Sequence, residues 1–200
     1  MKRKTSKLKA GVFIVESNKF SEEDEQLFEG EVLTKMLKLL DVEVVYKYIR
    51  TEKELKAVLK QFRESSFRYL HLACHGDEEG FGLTLDDISF EKFSQLLEKP
   101  IEKRRIFLSS CSVLQGDKLA EALTPYKVLS IVGPDKEIYF DDAAIFWASF
   151  YHLMFRENSN TMYNQRLKEV VKELSNIYSV SMKTLILQKN KKVYKRYECS

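Results

Sequence analysis

The sequence predicts an α/β protein with a mostly parallel central sheet flanked by helices, and three observations carry that reading. Short β-branched runs alternate repeatedly with stretches of helical periodicity, the pattern of strands joined by helical crossovers. Hydrophobic residues at 44% and aromatics at 12% of 200 residues supply enough apolar surface to offset the ordering of the chain. Seven glycines and three prolines are too few for collagen-like, low-complexity or disordered classes. The length suits one domain, so a basic N-terminal tail over residues 1–10 and a single domain over 11–200 are expected.

Residues 12–15 (Val-Phe-Ile-Val) read as the first strand. Ser21, with Asp24 three residues on, makes a capping-box-like start for a helix running to about Leu40. Residues 42–49 form the second strand, and Thr51 with Glu54 caps a helix whose Leu55, Val58, Leu59 and Phe62 stand at i, i+3, i+4 and i+7. The third strand, residues 67–74, ends in the glycine cluster Gly76, Gly80 and Gly82. Residues 89–97 place Phe90, Phe93 and Leu97 at helical spacing, and a fourth strand follows at 105–108. Residues 116–123 are expected to be helical, 127–132 to form a fifth strand, and Asp141 or Asp142 to cap an apolar helix to about Arg156. That helix reads as buried, with His152 packed on it. An amphipathic helix over 160–175 carries Leu167, Val170, Val171 and Leu174, and strands at 180–187 and 193–197 close a hairpin across Lys189-Asn190.

The net charge of +3 conceals an uneven distribution. Residues 1–10 hold five basic groups and no acid, residues 183–200 hold six against Glu198, and the body between is left with a net −7. Such a body repels phosphates, so no nucleic-acid partner is expected; the basic ends read as solvated tails, with an acidic partner as the alternative. Cys74, Cys111 and Cys199 lack disulfide or zinc-ligand spacing. No secretory h-region or membrane span is apparent, and reduced thiols in the cytoplasm are the expectation.

In parallel sheets, sites gather where the carboxyl ends of strands meet their loops. Here the third strand ends in His71-Leu72-Ala73-Cys74-His75-Gly76-Asp77 and the fourth in Phe107-Leu108-Ser109-Ser110-Cys111-Ser112. Adjacent strands would bring His75 and Cys111 to one edge, where imidazole takes the thiol proton and backbone N–H groups meet an oxyanion. Packing is the competing role for a cysteine at a strand end. His71 and His75 lie on a strand and its exit loop, which disfavours a metal pair, and no cofactor is expected: Gly76, Gly80 and Gly82 do not follow a phosphate-binding order and stand beside Asp77, Glu78 and Glu79.

The runs His71-Leu72-Ala73-Cys74-His75-Gly76 and Leu108-Ser109-Ser110-Cys111 resemble the two catalytic motifs of caspase-like cysteine peptidases of clan CD, most closely the CHAT branch. In that branch one strand ends in Ala-Cys-His-Gly and a later one in Leu-Ser-Ala-Cys. Gly133-Pro134 and Asp141-Asp142-Ala143 resemble it too, so the likeness covers most of the chain, although its specific part is two short motifs. The resemblance implies a caspase-hemoglobinase-like three-layer sandwich and a cysteine endopeptidase. In it His75 matches the catalytic histidine, Cys111 the nucleophile, and Gly76 and Cys111 the backbone oxyanion donors. It implies a dedicated protein substrate, such as a gasdermin-like effector in bacterial defence or regulated proteolysis. Departures exist: Val113 stands where caspases proper have the glycine of Gln-Ala-Cys-x-Gly, and Ser109 where relatives that cleave after basic residues often hold aspartate. Asp77 or Asp135 would then be left to face a basic P1 side chain. The short stretch between Cys111 and Gly116 leaves no linker to cut, which implies a single-chain enzyme switched by an activating partner or ligand. An inactive caspase-like scaffold and a flavodoxin-like small-molecule binder are the alternatives.

Overall fold

Every residue of Val-Phe-Ile-Val is buried, because the strand that holds it, β1 (Lys9–Ser17), lies between two others with helices on both faces. The structure is a computed structural model that describes residues 8–157, 161–188 and 193–199. In chain order the remaining elements are α1 (Phe20–Asp24), α2 (Glu29–Leu39), β2 (Glu43–Tyr48), α3 (Glu52–Glu64), β3 (Phe67–Gly76), β4 (Gly80–Gly82), β5 (Asp87–Ser89) and α4 (Phe90–Leu96). They are followed by β6 (Arg105–Ser109), α5 (Lys118–Leu123), β7 (Ser130–Pro134), α6 (Phe140–Glu157), α7 (Asn164–Tyr178), β8 (Met182–Gln188) and β9 (Val193–Cys199). The main sheet runs β2-β1-β3-β6-β7-β8-β9, parallel through β7 and antiparallel at β8 and β9.

Strand alternation divides the core into two layers of side chains. Phe13, Val15, Leu70, Leu72, Ile106 and Leu108 meet α3, α4 and α5, while Val12, Ile14, Tyr69, Phe107 and Val132 meet α2, α6 and α7. The three-layer α/β sandwich expected from the sequence is thus observed. Thr51 caps α3 as expected, accepting the Glu54 N–H while Glu54 Oε2 accepts the Thr51 N–H at 3.0 Å.

Several elements depart from expectation for local reasons. The helix expected from Ser21 to about Leu40 is two helices, because Gln26 takes a left-handed φ of 58° and turns the chain between α1 and α2. Ser21 lies inside the first turn of α1, where the Lys19 N–H donates to Glu22 Oε2 at 2.8 Å. The fifth strand starts at Ser130 because Lys127, with φ 53°, sits in the left-handed region at the end of a 3-10 turn. β4 and β5 are three residues each, too short to show a period. His152 is exposed: the 3.6-residue period puts Phe146, Trp147, Phe150, Tyr151 and Met154 on the buried face of α6 and leaves position 152 outside. The expected turn at Lys189-Asn190, the start of the amphipathic helix at Asn160, and residues 1–7 of the basic tail lie outside the described residues. Among the described residues no helix is long and apolar enough to cross a membrane.

Candidate active site

The carboxyl ends of β1, β3 and β6 surround a cleft of about 250 Å³ on the side of the sheet covered by α2 and α6. His75 and Cys111 both line it. Parallel pairing explains the convergence: Ala73 stands beside Ser109, and the chain continues two residues beyond each to reach His75 and Cys111.

His75 is held by its strand and by α1. Its backbone pairs with Gly82 where the end of β3 turns antiparallel onto β4, and its ring Nε2 lies 2.8 Å from both Glu22 oxygens. The neighbouring Glu23 fixes α1 in place by accepting from Tyr48 Oη at 2.5 Å and from Arg50 Nε and Nη2 at 2.9 and 2.6 Å. Those Arg50 bonds hold the Glu23 carboxyl down at about 2.

Cys111 opens the turn after β6, and this turn is tied to the chain after β7. The Ser112 N–H donates to Lys136 O at 3.0 Å, the Leu114 N–H to Pro134 O at 3.0 Å, and Cys111 Sγ to Ile138 O at 3.5 Å. Ser112 carries a left-handed φ of 57°, which turns the chain sharply after the cysteine. Gly76 is where the histidine and cysteine turns touch. A Cβ on it would stand 2.6 Å from Val113 Cγ1, 3.0 Å from Ser110 Cβ and 3.3 Å from Cys111 O. The valine that departs from the caspase pattern therefore packs directly over Gly76.

Cys74 and Cys111 have different surroundings. Cys74 is buried at 3.5 Å from Ser110 Oγ, and burial pushes its thiol up to about 12, so it is chemically quiet. Cys111 is partly exposed in the cleft.

Sequence reasoning did not single out the acids of the cleft. Glu16 is fully buried, accepts from Gly30 N–H at 2.9 Å and Tyr46 Oη at 2.6 Å, and burial pushes its carboxyl up to about 7. Glu29 accepts from Ser109 Oγ at 2.7 Å through Oε2, while Oε1 lies 3.5 Å from His71 Nε2 without hydrogen-bond geometry. His71 is buried and hydrogen-bonded, with Nδ1 3.0 Å from Tyr151 Oη and its ring edge-on to Trp147. The available signal was an acid at the end of an apolar strand and others at helix starts, patterns that surface residues also produce.

The remaining candidates lie elsewhere. Asp77 Oδ1 accepts from the N–H groups of Glu79 at 2.7 Å and Gly80 at 3.0 Å, which shapes the β3–β4 turn, and the residue lines a neighbouring groove. Asp135 is paired with Lys183 Nζ at 3.1 Å and does not line the cleft. Among the described residues no group of three or more His, Cys, Asp and Glu is placed to hold a metal.

No family model matches the sequence, and no curated protein does. Among solved structures, the chain is similar to the Arg-specific cysteine proteinase gingipain R with a TM-score of 0.58 at 14% sequence identity, over 84% of this chain. The fold is caspase-like. This chain spans 43% of the length of that proteinase, so the likeness concerns the fold of that part alone.

Proposed function

We propose that the protein is a cysteine endopeptidase, in which Cys111 is the nucleophile, His75 the general acid and base, and Glu22 the positioning residue for His75. One observation carries the reading: a histidine braced by a carboxylate and a part-exposed cysteine share one cleft at the carboxyl ends of adjacent parallel strands. The fold likeness to a cysteine proteinase supports it. A carboxylate on Nε2 keeps the proton on that nitrogen and leaves Nδ1 free to accept the thiol proton, the orienting role that carboxylates play for catalytic imidazoles. The thiolate then attacks the scissile carbonyl carbon, and the N–H groups of Gly76 and Cys111 are the proposed donors to the oxyanion. His75 returns the proton to the leaving amine, the peptide C–N bond breaks, and a thioester remains. Water activated by His75 hydrolyses that thioester and restores the thiol. The substrate is proposed to be a dedicated protein, and an activating partner is proposed because Cys111 is bonded to the Ile138 carbonyl, a contact that thiolate formation has to break.

The test is labelling with a peptidyl acyloxymethyl ketone, located by mass spectrometry, in wild type, Cys111→Ala, His75→Ala and Glu22→Gln. Labelling confined to Cys111, lost in Cys111→Ala, slowed about 100-fold in His75→Ala and about tenfold in Glu22→Gln is expected. Equal, slow labelling of Cys111 in wild type and His75→Ala overturns the reading.

A further inference from the structure

We propose that the open edge of β9, on the side facing α7, docks an extended acidic segment of a partner protein, which joins the sheet as a further strand with carboxylates at alternate positions. β9 pairs with β8 over its seven residues, and no described strand covers its other edge, so the outward N–H and C=O groups there can receive a strand. A period of two sorts the side chains of β9. Tyr194 Oη donates to Val128 O at 2.9 Å, and Arg196 bonds Gly116 O and Asp117, which commits those two residues to the α5 side. Glu198 has the same parity and lies 3.8 Å from Lys183 Nζ. Lys195 and Tyr197 turn instead to α7. There Lys168 Nζ stands 4.5 Å, and Lys195 Nζ 5.2 Å, from the centre of the Tyr197 ring. Lys172 follows Lys168 one turn along the same face of α7 and is exposed. Among the described residues none of these three lysines has a carboxylate within ion-pair distance: the acids of α7, Glu169 and Glu173, engage Arg166, and Glu198 engages Lys183.

The charge pattern selects the occupant. Two ammonium groups that share one ring and have no counter-charge repel each other and attract a carboxylate. An extended chain paired to β9 sends every second side chain to the α7 side, where acidic groups meet Lys195 and Lys168. A second copy of β9 would set lysine against lysine at the same edge. A nucleic acid would meet the net −7 carried by residues 11–182, whereas a peptide strand engages the edge alone. The surface is separate from the cleft, three strands beyond β6 in the sheet, and the proposal stands without the peptidase reading.

The experiment measures, by fluorescence anisotropy, binding of labelled probes to the full chain: a peptide alternating glutamate with threonine, the same peptide with glutamine for glutamate, and an oligothymidylate of equal length. The glutamate peptide is expected to bind about tenfold tighter than the glutamine peptide, and to lose about tenfold in a variant carrying Lys168→Glu and Lys195→Glu. It is also expected to slow amide hydrogen exchange along β9, which side-chain attraction alone would not do. A thermal melt checks that the variant folds, and the comparison of peptides and the exchange need only wild type. No binding at millimolar glutamate peptide, equal affinity for the two peptides, or equal affinity of wild type and folded variant overturns the proposal. Binding with unchanged exchange in β9 overturns strand addition. Tighter binding of the oligothymidylate makes the patch a nucleic-acid surface instead, and a wild-type dimer in sedimentation velocity that the glutamate peptide disperses assigns the edge to a second copy.

Discussion

Replacing Glu16 by glutamine keeps the shape of the side chain and removes its titration. In the folded chain the Glu16 carboxyl sits at about 7, raised from an ordinary value of 4.5 chiefly by burial, with Tyr46 and Gly30 opposing the rise. A raised carboxyl favours the folded state at low pH, where folding keeps a proton that the unfolded chain has begun to release. The benefit is complete below about pH 4.5 and disappears as pH climbs through about 7, where the buried carboxyl ionises. At 1.36 kcal/mol per pH unit, the full span corresponds to roughly 3 kcal/mol, of which about 2 kcal/mol is lost between pH 5.5 and 8.5. Urea unfolding of wild type and Glu16→Gln at those two pH values measures the difference directly. Wild type is expected to lose about 2 kcal/mol more than the variant on going to pH 8.5. The Glu16→Gln protein, whose side-chain amide accepts from Gly30 and bonds Tyr46 without charge, is expected to be the more stable of the two there. Parallel losses in the two proteins would refute the placement of Glu16 as a carboxyl that folding keeps protonated.

Gly76→Ala forces a Cβ against Val113 and Ser110 and separates the two turns; a loss of about 1–3 kcal/mol in unfolding free energy and a drop in Cys111 alkylation rate are expected. Cys74 is expected to stay unlabelled by iodoacetamide at pH 8 in the folded protein and to label once unfolded in urea, as peptide mapping will read. Arg50→Ala removes the forked bonds to Glu23 and loosens α1; peptidyl-probe labelling of Cys111 is expected to slow severalfold, with a smaller change in melting temperature than Gly76→Ala gives.

The helix α3 and the strands β1, β3 and β6 were legible because each imposes its own period on a long enough run. His75 and Cys111 were legible for a related reason: both stand at the ends of buried strands, and parallel neighbours deliver their ends to one edge. Glu22 was hidden because it stands in a run of polar residues, 21–26, that names no partner for any one acid, while the break between α1 and α2 rests on one left-handed residue, Gln26. Glu29 and Glu16 were hidden because charge alone does not report burial. Their positions follow from long-range partners, Ser109 for Glu29 and Tyr46 for Glu16, which lie 80 and 30 residues away in the chain. His152 shows the opposite error, in which an apolar stretch was read as buried all round although the period leaves one side of α6 facing outward.

The bonds from Ser112 to Lys136, from Leu114 to Pro134 and from Cys111 to Ile138 make the segment after β7 a ruler for the nucleophile. The exposed side chains of Lys136 and Glu137 can vary while those backbone carbonyls stay where they are. A gain or loss of one residue there displaces the register by about 3.3 Å, more than the 3.0 Å of the Ser112–Lys136 bond it would have to preserve. Length, rather than the identity of those two side chains, is therefore what must stay constant between Pro134 and Ile138.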